Sequence, residues 1–143
     1  MSYYPISVTA ATLTLNKPTH EGCVVVANRA AGITFTLPAA VGSGCKYTVV
    51  VGTTITSNNL IIQVANSTDI MSGVAVVGTD NASDVVVAFE TAADSDTITM
   101  NGSTKGGIKG DRIELEDVSS GLWHVRILAS GTGTEVTMFS AAV

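Results

Sequence analysis

The chain has 143 residues and a mass of 14.6 kDa, 45% of them hydrophobic and only 13% charged, which suits one domain with a full core but falls well short of the roughly 25% charge of a typical soluble surface. Twelve acidic against seven basic residues give a net charge of -5, and no Lys or Arg lies between Lys46 and Lys105, while Asp69, Asp80, Asp84, Glu90, Asp94 and Asp96 do. That balance argues against nucleic-acid binding, which needs clustered cations, and no run of about 18 apolar residues is present to span a membrane as a helix.

At the start, Met1-Ser2-Tyr3-Tyr4-Pro5 has neither a basic stretch nor an apolar one, so the protein is expected to be made soluble without a signal peptide. Ser2, Tyr3, Tyr4, Pro5 and Ile6 read as a short aromatic arm, residues 1–5, leading into a strand and able to add to a neighbour's sheet edge; the bland alternative is a frayed terminus. The remainder reads as one β domain, 1–143 in all. Ile6, Val8 and Ala10 share one phase and Leu13 and Leu15 the other, which predicts one long strand with a bulge near Ala11 and Thr12.

The chain holds 48 β-branched residues (19 Val, 19 Thr, 10 Ile) and only seven Leu; such stiff side chains favour strands. Ile33, Phe35 and Leu37 alternate with Thr34 and Thr36, as a strand with one wet face requires. Residues 24–26, 49–51 and 85–87 are each Val-Val-Val, which predicts burial on both faces. The best helical window, residues 88–93, is too short to stand alone, so the second cover must come from another sheet or another subunit. Residues 71–83 are the least periodic and predict a long loop. Residues 102–110, rich in Gly and Lys, predict a hairpin loop, since the strand that follows denies them the helix N-terminus of a phosphate loop. Ile113 and Leu115, then Trp123, Val125 and Ile127, then Val136 and Met138, alternate with polar neighbours. Frequent turn signals predict an all-β fold of about nine or ten short strands with essentially no helix: an antiparallel sandwich, jelly roll or barrel.

Few residues invite chemistry. Of the two histidines, His20 lies in a turn and His124 on the polar phase of a strand, and both suit structural roles better than base catalysis. Asp94 with Asp96, and Glu114 with Glu116 and Asp117, are oxygen donors without a dedicated loop. Cys23 and Cys45 fit no zinc spacing and are expected as buried free thiols, the alternative being neighbours that pair. Trp123 suits a core anchor better than a sugar platform. No catalytic, cofactor-binding or metal residue is expected, no cofactor, and no enzyme activity.

Two segments go beyond generic β sequence: GCVVVANRAAGITFTLPAAVGSGCKYTVVVG, residues 22–52, and SDTITMNGSTKGGIKGDRIELEDVSSGLWHVRILASGTGTEVTMFSA, residues 95–141. In these stretches the chain resembles the small β-rich head decoration, or capsid cement, proteins of tailed bacteriophages. Short head fibres and tail-fibre ends carry similar strings. The resemblance implies a structural protein on the outer surface of the virion, commonly a homotrimer, that binds the major capsid protein and ties capsomers together; on it Ser2, Tyr3, Tyr4, Pro5 and Ile6 become candidate capsid or subunit contacts. The alternatives are a carbohydrate-binding or host-adhesion module, using Trp123, Tyr3, Tyr4 and Tyr47 as stacking surfaces, and a trimeric fibre segment.

Overall fold

The computed structural model describes residues 4–80 and 85–143. Among them twelve strands form two sheets: β1 (Ile6–Val8), β2 (Thr12–Thr14), β3 (Val24–Ala27), β4 (Ile33–Thr36), β5 (Lys46–Val51), β6 (Leu60–Gln63), β7 (Ile70–Thr79), β8 (Val86–Glu90), β9 (Thr97–Met100), β10 (Arg112–Ser119), β11 (Leu122–Gly131) and β12 (Phe139–Ser140). The larger sheet runs β1-β3-β5-β10-β11-β7-β8 and the smaller β12-β9-β6-β4-β2. The only helix among the described residues is one turn, Lys17–His20, with Asn16 capping it through the Thr19 N–H. The all-β sandwich is therefore present, and neither sheet closes into a barrel.

The pairing departs from the antiparallel expectation. β1, β2, β3, β4, β5 and β6 alternate between the sheets, so strands two apart in sequence run the same way and pair in parallel: β1 with β3, β3 with β5, β2 with β4, β4 with β6. β11 and β7 are also parallel, over ten residue pairs. Apolar alternation marks which face of a strand is buried but not the direction of its neighbour, and here the facing sheet does the work of a crossover helix. Because several strands are very short, twelve occur among the described residues where the turn signals predict nine or ten.

The sheets enclose one core built of register rows. In the larger sheet Ile6, Val25, Val49, Ile113, Ile127, Ala75 and Phe89 stand side by side; in the smaller, Leu13, Phe35, Ile62, Ile98 and Phe139 do. The inner members are fully buried, while Ile6, Leu13 and Phe89, near sheet edges, are partly covered. Each buried Val, Leu, Ile or Phe stabilises the fold by about 1.5–3 kcal/mol against exposure.

Four local expectations are corrected. Residues 6–15 are not one bulged strand: β1 and β2 lie in different sheets, and the change of phase marks the corner between them. The aperiodic stretch 71–83 is largely β7, one of the two longest strands. It hides its period because Gly73 sits where a Cβ would stand 1.7 Å from the Val125 carbonyl oxygen, while Val74 and Val76 are apolar yet face outward; residues 81–83 lie outside the described residues. Residues 102–110 join β9 to β10, so they cross between sheets and are not a hairpin loop. Finally, Val85 and Val86 are exposed and Val87 half-buried, because β8 is the outermost strand and only Phe89 packs against the core.

Candidate interaction surface

The outer face of the larger sheet carries two kinds of residue. On β10 and its neighbours it is charged: Glu114 accepts from Arg112 Nε at 3.0 Å and from Arg126, on the adjacent strand, through Nε and Nη2. The Arg126 and Arg112 hydrogen bonds hold the Glu114 carboxyl below its usual range. Lys46 reaches Glu116 at 3.9 Å. Lys46, Glu114, Glu116 and Arg126, with Thr48 and His124, border a shallow depression of about 400 Å³. A second hollow of about 350 Å³ lies where this cluster meets Val76 and Leu128.

Towards β7 and β8 the face becomes apolar. Leu128 stands beside Val76 and Val76 beside Ala88; one row away Arg126, Val74 and Glu90 are neighbours. Leu128 and Val86 are each 66% exposed, and Val74 and Val76 are also exposed. Scattered apolar residues on a surface are ordinary, whereas contiguous ones mark contact sites. The smaller sheet's outer face is uncharged: Thr12, Thr34, Ile61 and Thr99 form one row, and Thr14, Thr36, Gln63 and Thr97 the next.

Four buried aspartates hold the loops that frame these sheets. Asp117 accepts the backbone N–H groups of Val41, Gly42 and Ser43 and the Ser43 hydroxyl. Asp69 takes the Ala40 N–H at 2.8 Å. Asp111 accepts from the N–H groups of Gly107, Ile108 and Ser130. Asp96 accepts from Ala142 and Val143 N–H and the Thr97 hydroxyl. Burial pushes the Asp96 and Asp117 carboxyls up, but these donors outweigh it and hold both below the ordinary value of 3.8. For Asp111 burial wins and the carboxyl is raised.

The signs give a pH dependence. Depressed carboxyls contribute stability that is present above their unfolded value, about 3.9, and lost as pH falls through the lower folded value. Asp111 works oppositely: the folded state takes its proton first, so its cost at neutral pH is relieved as pH falls through the raised folded value. Urea midpoints are therefore expected to hold or rise slightly as pH falls from neutrality towards the unfolded carboxyl value of about 3.9, then to drop as it falls further. In Asp111→Asn the rise should vanish while the acid drop persists; a variant that keeps the rise contradicts this assignment.

The sequence-predicted site residues are scattered. Tyr4 is 82% exposed and Pro5 exposed, while Ile6 is half-buried in β1 opposite Val25; Ser2 and Tyr3 lie outside the described residues. Ile6 thus belongs to the sheet and not to a free arm. His20 is buried, with Nδ1 accepting the Asn16 N–H, and His124 is exposed. Cys23 and Cys45 are buried free thiols. Trp123 is 1% exposed and meets the buried Tyr47 edge to face at 5.8 Å; burial, with Cys45, Glu21 and Asp117 nearby, pushes the Tyr47 hydroxyl up to about 12.

No protein-family model, curated protein or solved structure matches the chain. The loop-holding aspartates were the features that motif reading passed over, yet a signal was present: Asp111 and Asp117 share the inward phase of Ile113 and Leu115 in Asp-Arg-Ile-Glu-Leu-Glu-Asp. A charge on the apolar phase of a strand is buried and must be satisfied there.

Proposed function

We propose that the chain is a viral structural protein, a decoration or cement protein that binds the outside of an assembled tailed-phage head and stabilises contacts between capsomers. Its partners are then the major capsid protein and further copies of itself, and its place is the virion's outer surface. The observation that supports this most is the half-apolar outer face of the larger sheet: the core lies on the other side, and Leu128, Val74, Val76 and Val86 are exposed together. The resemblance of residues 22–52 and 95–141 to head decoration proteins gives the direction. Bridging needs no single tight interface. Once one copy of an assembly is docked, the others bind at high effective concentration, and modest contacts multiply.

Empty phage heads stripped of decoration protein provide the test, by co-sedimentation with the purified chain. Saturable binding is expected, and removal of residues 2–5 is expected to lower occupancy, because Tyr4 is available for contact. Unchanged occupancy after that deletion removes the arm from the proposal; no saturable binding by the intact chain removes the proposal. Trp123 and Tyr47, which a sugar-stacking site would use, are turned on each other inside the core, so glycan-array binding is not expected. A fibre segment is the second reading, favoured by the stacked parallel rungs of β1, β3 and β5 over β2, β4 and β6. It predicts rods, not compact particles, under the electron microscope.

A further inference from the structure

We infer that the outer face of β11, β7 and β8 pairs with the same face of a second copy around a two-fold axis running along β7. Three register rows cross these strands: Arg126–Val74–Glu90, Leu128–Val76–Ala88 and Ser130–Gly78–Val86. A half-turn about β7 exchanges the outer members of each row and sets the middle ones against their own copies. Arg126 then faces the partner subunit's Glu90, and the two Val74 side chains meet. Large residues face small ones in the remaining rows, Leu128 over Ala88 and Val86 over Ser130, and the two Gly78 positions leave room at the axis.

Charge favours a second copy over other occupants. On the β11 side two guanidiniums, Arg112 and Arg126, share the single carboxylate of Glu114. On the β8 side Glu90 has no cation in ion-pair range among the described residues, and residues 1–3 and 81–84 include no Lys or Arg. The excess cation and the lone carboxylate lie two strands apart, about 10 Å, with Val74 between them, so each finds its complement on the partner. A half-turn perpendicular to the strands would instead set Arg126 over Ser130 and leave Glu90 over Val86. Face-to-face sheets stay within about 30° of alignment, so rows only three strands wide remain opposed. One face meeting itself is an isologous contact; the three-fold arrangement implied by the resemblance would need two different surfaces.

This pairing requires no viral shell and is measured on the purified chain by sedimentation equilibrium. A species of twice 14.6 kDa is expected. Arg126→Glu and Glu90→Arg should each weaken it about a hundredfold, because each reversal sets like charges together twice. The double variant should recover to within about tenfold of the parent, since the pairs re-form with signs exchanged. Circular dichroism confirms that each variant is folded. Leu128→Arg should abolish pairing outright. A monomer, a trimer, a double variant no better than the singles, or a pair that survives Leu128→Arg and so joins edge to edge through β8 would each overturn the inference. A pair that forms but ignores phage heads would sink the head-binding proposal alone.

Discussion

Trp123→Ala is expected to lower stability by about 3–5 kcal/mol, the range for removing a large aromatic from a packed core. At roughly 2–4 °C per kcal/mol for a chain of this size, the melting temperature should fall by about 10 °C or more. Trp123 is the largest of the fully buried side chains, set in β11 opposite Asp117 of β10 and Met71 of β7, with its ring against Tyr47 at 61°. Its indole Nε1 is buried without an acceptor among the described residues, so the loss comes from volume and ring contact rather than from a hydrogen bond. Trp123→Phe should recover part of the loss by refilling part of the cavity. Urea unfolding checks both; an unchanged midpoint in Trp123→Ala would mean that the residue is not a core anchor.

Asp117→Ala should cost about 3 kcal/mol by a different route. One carboxylate satisfies three successive N–H groups, from Val41, Gly42 and Ser43, the Gly42 bond at 2.7 Å. Alanine leaves all three in a part-buried site, and stranded donors cost more than the hydrogen bonds themselves contribute. Asn, with one acceptor oxygen in place of two, should fall between parent and alanine. Amide exchange separates this variant from Trp123→Ala: residues 41–43 should exchange faster than the rest of the chain, whereas loss of Trp123 weakens β10, β11 and β7 together. Uniform acceleration in Asp117→Ala would contradict the loop-holding role.

The class of fold was legible because the residues that build it are stiff and alternate. The period-two segments containing Ile33, Ile113 and Trp123 became β4, β10 and β11 with the expected faces inward. Strand direction was not legible, because Thr34 looks the same beside a parallel or an antiparallel neighbour; only the alternation of successive strands between sheets decides it. β7 escaped notice because its small inward and apolar outward residues erase the alternation, which is also why its outer face became the candidate contact surface. That surface was foreshadowed only in part. The Val-rich runs predicted faces covered on both sides, the second cover coming from another sheet or subunit, but the runs at residues 24–26 and 49–51 lie over the core with half-buried outer members, and the exposed apolar rows come from Leu128, Val74, Val76 and Val86. Their grouping depends on the β7–β8 register and on the β11–β7 register, the second of which joins residues more than fifty apart in sequence.

Electron microscopy of phage particles made with and without this coding sequence tests the proposed role most directly. Loss of the protein should remove a protrusion from the outer head surface, while the shell lattice beneath keeps its form. Particles with identical exteriors, or density for this chain found inside the head or at the tail tip, would contradict a head-decoration role.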